Sequence, residues 1–99
     1  MKFKMARYTV RHDKLEEVKE AIAAFVDGIK QNEPSTFYET YQEANGPSFV
    51  HLMCFESEEA EDVHRNAPHT NTFTDLLSTC CENPPVFSEL SLLDSSELD

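Results

Sequence analysis

Tryptophan is absent from this 99-residue chain, glycine occurs twice, and only eight basic side chains stand against nineteen acidic ones. No apolar run approaches the roughly 20 residues that a bilayer-spanning helix needs. The opening residues Met1-Lys2-Phe3-Lys4-Met5 lack the apolar h-region of a secretory signal, so a cytoplasmic location is expected. Cysteine is scarce and oddly placed: Cys54 stands alone, while Cys80 and Cys81 are adjacent. Three such residues do not make a disulfide framework, and reduced thiols fit a cytosolic compartment. The adjacent pair lacks the two-residue spacer usual in zinc sites and reads as one buried and one exposed helical thiol. There is no Gly-rich phosphate loop, no Ser-His-Asp order, and no repeat or low-complexity block.

What charge there is lies unevenly. Residues 1–30 hold seven basic and five acidic side chains, a net of +2, whereas residues 31–99 hold Arg65 against fourteen acidic ones, a net of −13; together these give −11. Such a surface repels nucleic-acid phosphates and anionic membranes. Neither is expected as a partner. Ninety-nine residues make one domain, with a core at 3–93 and an acidic tail at 94–99. A chain of this size buries only about two-thirds of its unfolded surface, so a further face buried against a partner would stabilise it.

The residues present divide into clear segments. Residues 3–10 read as a strand, with Phe3 and Met5 on one side and Ala6, Tyr8 and Val10 on the other. Asp13 is placed to cap a helix from Lys14, whose stripe runs Leu15, Val18, Ile22, Phe25, Ile29, widened by Ala21 and Val26. Asn32-Glu33-Pro34 ends it, because the residue before proline is pushed out of the α region. Residues 36–43 and 48–56 form strands joined by the turn Ala44-Asn45-Gly46-Pro47, a hairpin. The second of these is apolar on both faces: Phe49, His51, Met53 and Phe55 on one, Val50, Leu52 and Cys54 on the other. Such a strand is covered on both sides.

A short acidic helix at 58–65 follows. Ser57 is its cap, and Glu58 and Glu59 suit the positive end of the helix dipole. Pro68 suits a first helical position and opens another helix to about Cys81, with Phe73, Leu76, Leu77 and Cys80 at helical spacing. Asn83-Pro84-Pro85 stops it, and residues 86–93 make the last strand. The order is β-α-β-β-α-β, with the second helical region broken in two. This predicts an α+β, ferredoxin-like fold: a four-stranded antiparallel sheet with helices on one face. The remaining apolar face predicts a homodimer, packed sheet against sheet.

The run Phe55-Glu56-Ser57-Glu58-Glu59-Ala60, followed by His64-Arg65-Asn66-Ala67-Pro68-His69, resembles the signature of the antibiotic biosynthesis monooxygenase (ABM) domain. Members show a strand ending in Trp-Glu-Ser, an acidic helix, a histidine, and a Pro-His or Ser-His pair opening the next helix. Glu33-Pro34 before the second strand and Asp13-Lys14 before the first helix are also similar, so the likeness covers about residues 3–93. It implies a dimeric α+β barrel and the oxidation of quinols and related aromatic molecules without metal or flavin. Phe55 stands where Trp is common, Met53 where many members carry Glu, and Ser35 where Gly is frequent. The absence of Trp argues against the haem-degrading branch.

Histidine titrates near neutral pH and suits acid or base work, which makes His64 and His69 the candidate catalytic residues. Helix-end and first-turn hydrogen bonding are their structural alternatives. The two stand five apart across a helix break, unlike the i, i+4 pair of a helical zinc site, and no third ligand is evident; no metal or other cofactor is expected. Tyr8, Phe25, Tyr38, His51 and Phe73 are candidates to bind a small aromatic molecule, with plain core packing as the alternative. Arg7 is a candidate to hold an anionic group, with a surface position as the alternative. The chain thus reads as a cofactor-independent monooxygenase of a quinol-like or polyphenolic compound. The alternatives are a related isomerase, or a non-catalytic binding or assembly protein on the same fold.

Overall fold

The computed structural model describes residues 1–98. Seven elements follow one another: β1 (Lys2–Thr9), α1 (Leu15–Asn32), β2 (Phe37–Gln42), β3 (Ser48–Phe55), α2 (Glu58–Asn66), α3 (Pro68–Cys80) and β4 (Val86–Leu90). The strands form one antiparallel sheet in the order β2-β3-β1-β4. This is the α+β ferredoxin-like arrangement that the sequence predicts, with α2 and α3 sharing the second helical place.

Strand alternation sorts the side chains as expected. Tyr8 pairs with Phe49, Ala6 with His51, and Tyr38 with Met53, which puts these residues on the helix side. There they meet Val18, Phe25 and Ile29 of α1 and Phe73 and Leu77 of α3. Phe25 stacks flat on Phe73, with ring centroids 4.6 Å apart and planes within 1°. Such a pair contributes about 0.5–1.5 kcal/mol beyond its buried area. Among the described residues no helix covers the opposite face. It presents Phe37, Tyr41, Val86 and Leu90, all 40–66% exposed, around the half-buried Met5, Val50 and Leu52.

Ser57 caps α2, accepting the Ala60 N–H at 3.1 Å, and Pro68 opens α3. Asp13 is not the cap of α1. It lies in a 3-10 turn at His12–Lys14, closed by the Lys14 N–H on the Arg11 carbonyl, and no side chain caps the helix behind it. The last strand is shorter than expected. Leu90 already pairs with Phe3, one residue from the start of β1, so the ladder runs out and Leu92 and Leu93 are exposed. Cys81 leaves α3 in extended conformation to bridge Val10, so both Cys80 and Cys81 are buried where one of the pair was expected to be exposed.

The β2–β3 turn has positive φ at Ala44 (39°) and Asn45 (61°), closed by the Gly46 N–H on the Glu43 carbonyl at 2.7 Å. Asparagine tolerates that conformation; alanine is strained in it. Among the described residues no helix is long and apolar enough to cross a membrane.

Candidate functional site

The site is built around a residue that ends a helix. Glu33 follows the last turn of α1, its N–H still bonded to the Ile29 carbonyl, and its side chain is 2% exposed. It continues the buried stripe Phe25–Ile29 by four more residues, which aims a carboxylate inward. Three donors converge on it. His64 Nδ1 lies 3.0 Å from both carboxylate oxygens, His69 Nε2 lies 2.5 Å from Oε2, and the Thr36 hydroxyl donates to Oε1 at 3.2 Å.

The chain brings the two histidines together through its helix break. His64 is in the last turn of α2 and His69 follows Pro68 in α3. Between them Ala67 is extended, with φ −70° and ψ 146°. That break turns both rings toward the end of α1. His69 also needs Gly28: a Cβ there would stand 2.7 Å from His69 Cβ and 2.8 Å from Cγ. Burial lowers the pKa of His64, with Glu33 opposing the shift. With Nδ1 bound to the carboxylate, Nε2 is left without a hydrogen-bond partner among the described residues.

A second polar chain crosses the sheet. His51, 1% exposed, takes Tyr8 Oη on Nε2 at 2.7 Å and Tyr38 Oη on Nδ1 at 2.8 Å. Burial, and then the nearby His64, push its pKa down to about 4, so the ring is neutral at pH 7. Burial likewise raises both tyrosines well above the ordinary phenol value. A neutral imidazole has one N–H. One tyrosine therefore donates to His51 and the other accepts from it, keeping its own O–H free to donate elsewhere.

Both systems border a cavity of about 450 Å³ between α2, α3 and the sheet. Its wall includes Tyr8, Phe25, Tyr38, His51, His64 and Phe73, six of the eight residues singled out from the sequence. Met53, Phe55 and Leu77 add apolar surface. Thr70 also lines it, and its Oγ1 is the one buried side-chain polar atom among the described residues without a partner. Glu61 borders the cavity too, ion-paired to Lys2 at 2.9 Å, to Arg65 at 3.1 Å and to Lys4. Hydrogen bonds from Lys2 and Lys4 hold its pKa down at about 2.

Two of the eight lie elsewhere. Arg7 is on the bare face of the sheet and pairs with Glu43 through two 3.0 Å hydrogen bonds, so it does not reach the cavity. His69 is behind Glu33 and does not line the cavity. Glu33 and Glu61 went unrecognised as site residues: Glu33 was read as a helix end and as part of the family likeness, and Glu61 only as one residue of the acidic helix. The signal for Glu33 was its place on an apolar stripe. Glu33 supplies the third ligand that the histidine spacing alone did not offer: one ligand atom from each of Glu33, His64 and His69 lies within 4.8 Å of the others.

Solved structures similar to this chain share its whole architecture. A protein of Mycobacterium tuberculosis, Rv0793, superposes with TM-score 0.83 at 23% identity, covering 97% of this chain and 98% of its own. A protein of Nitrosomonas europaea gives 0.83 at 23% identity over 95% and 100%. A structure titled as an antibiotic biosynthesis monooxygenase gives 0.84 at 16% identity over 95% and 100%. At such identities these likenesses establish the fold alone. No match was found among curated proteins. The profile of the family described as antibiotic biosynthesis monooxygenase matches residues 1–76, which include β1 through α2 and both histidines, and the chain belongs to that family.

Proposed function

We propose that this protein is a cofactor-independent monooxygenase of a quinol-like or phenolic small molecule. The observation that carries the reading is the pairing of an apolar, aromatic-lined cavity with an imidazole whose far nitrogen is anchored on a buried carboxylate. Bound with its hydroxyl at His64 Nε2, a phenol loses its proton to the ring, and Glu33 stabilises the imidazolium that forms. The resulting anion is electron-rich enough to pass one electron to dioxygen. The radical pair then joins oxygen to a ring carbon as a hydroperoxide. Loss of water, carrying the ring hydrogen, the phenolic hydrogen and one oxygen atom, leaves a quinone. The substrate supplies both electrons. The free O–H of the tyrosine that accepts from His51 is suited to hold a substrate oxygen.

His69, which does not line the cavity, acts here by holding Glu33 rather than touching substrate. The bare sheet face supports a homodimer, because a second copy would cover Phe37, Tyr41, Val86 and Leu90. The free thiols of Cys54, Cys80 and Cys81 suit a reducing, cytoplasmic setting.

Met53 lines the cavity where family members often carry an acid, and this favours a second reading, a binding protein that has lost the chemistry. Oxygen-electrode measurements with 1,4-naphthoquinols that keep a free ring C–H and with anthrones separate the two. The oxygenase consumes one dioxygen per molecule oxidised, leaves one oxygen atom in the product and releases no hydrogen peroxide, unlike simple quinol oxidation; binding without uptake across the panel supports the second reading.

A further inference from the structure

We propose that Glu33, His64 and His69 form a binding site for a divalent transition-metal ion of the zinc class, held at the Nδ1 edge of His64. The donor set is two imidazole nitrogens and one carboxylate, the composition of three-ligand zinc sites with an open fourth position. The distances suit it. The atoms now stand 2.5 to 3.0 Å apart across their hydrogen bonds and lie within 4.8 Å as a set. Ligands about 2.0–2.2 Å from a tetrahedral ion stand roughly 3.3–3.5 Å from one another. Replacing the shared protons by a metal ion therefore needs side-chain shifts of under about 1 Å.

Charge points the same way. The Glu33 side chain is 2% exposed and, among the described residues, has no lysine or arginine within ion-pair reach. Its donors are the two imidazoles and the Thr36 hydroxyl. A buried carboxylate whose only partners are imidazoles and a hydroxyl is a donor set that a divalent ion can also satisfy. The ligands come from the end of α1, the end of α2 and the start of α3, so the ion would tie three helices together. Thr36, already bonded to the carboxylate, would orient it from outside the coordination sphere.

This site goes beyond the oxygenase reading and does not depend on it. A metal ion on Nδ1 takes that nitrogen's lone pair and leaves the ring proton on Nε2, so the metal-loaded His64 donates to the cavity and the metal-free His64 is the form that can act as a base. The test is metal uptake by chelator-stripped protein, measured by equilibrium dialysis against Zn²⁺ and by the visible spectrum with Co²⁺. The expected result is one ion per chain and tetrahedral cobalt bands without a thiolate charge-transfer band. Zn²⁺ should raise the melting temperature. Affinity should fall about tenfold or more in Glu33→Gln and in His69→Gln, by analogy with losses seen even for outer-shell partners. Either variant suffices if circular dichroism shows the other misfolded. Absence of stoichiometric uptake by folded wild-type protein overturns the proposal. So does uptake unchanged in the folded variants, or a thiolate band that places the ion on cysteine.

Discussion

The two faces of the sheet reverse the usual distribution of polar and apolar groups. The face covered by helices holds the chain Tyr8–His51–Tyr38, beside the Glu33 cluster at the helix ends. The bare face carries phenylalanine, valine and leucine side chains in the open. Buried polar groups are costly unless satisfied, and among the described residues every fully buried side-chain nitrogen or oxygen except Thr70 Oγ1 has a partner. A sheet that needed only stability would have the opposite arrangement. The difference is the one that the proposed oxygenase and homodimer require, with the polar groups around a cavity on one face and the apolar surface open on the other.

Breaking the covered face should have the largest effect. Glu33→Ala leaves two imidazoles facing an empty acceptor site, and we expect a loss of about 3 kcal/mol or more in urea unfolding, as for breaking a buried pair. Acidification attacks the same face through His51. Its folded pKa of about 4 lies below the ordinary 6.5, so the unfolded chain binds the extra proton first. The stability it contributes is complete above pH 6.5 and is lost as pH falls toward 4, on the order of 3 kcal/mol in total. Glu61, held at about 2 against an ordinary 4.5, adds a further loss between those two values. Urea midpoints at pH 7, 5 and 4 measure the slope; a flat profile would mean that His51 is not buried as described.

Gly28→Ala tests how closely α1 and α3 approach. The added methyl meets His69, and overpacking of this kind costs about 1–3 kcal/mol. The bare face should answer differently. Leu52→Glu places a charge at its centre, and we expect a monomer by light scattering at micromolar concentration, with the cavity intact and the helical content unchanged. The smallest expected change is a gain: Ala44→Gly relieves the positive φ in the hairpin turn and should stabilise by about 0.5–1 kcal/mol, read as a raised melting temperature.

Local rules made the elements legible. The period of two grouped His51 with Phe49, Met53 and Phe55 and set Tyr38 apart from Phe37 and Tyr41, the Ser57 hydroxyl marked the start of α2, and Pro68 that of α3. What those rules could not reach was long-range pairing. Glu33 stands before a proline, where a helix stop explains it locally; its partners lie 31 and 36 residues further on. Glu61 sits among other acidic residues, and only the register of β1 brings Lys2 and Lys4 to it. Arg7 was placed on a strand correctly, but its neighbours were unknown, and Glu43 across the hairpin claims it. The cavity needed three elements at once, so its six wall residues were legible as types rather than as a set.

The central claim is that His64 Nε2 is the working base in the cavity. The most direct test is quinol-dependent oxygen uptake by wild-type protein and by His64→Gln, whose amide N–H can still reach Glu33 but which carries no base. The account predicts a well-folded variant with uptake reduced about 10²–10⁴-fold, the span of a lost general base. A folded His64→Gln protein that consumes oxygen at the wild-type rate would contradict it.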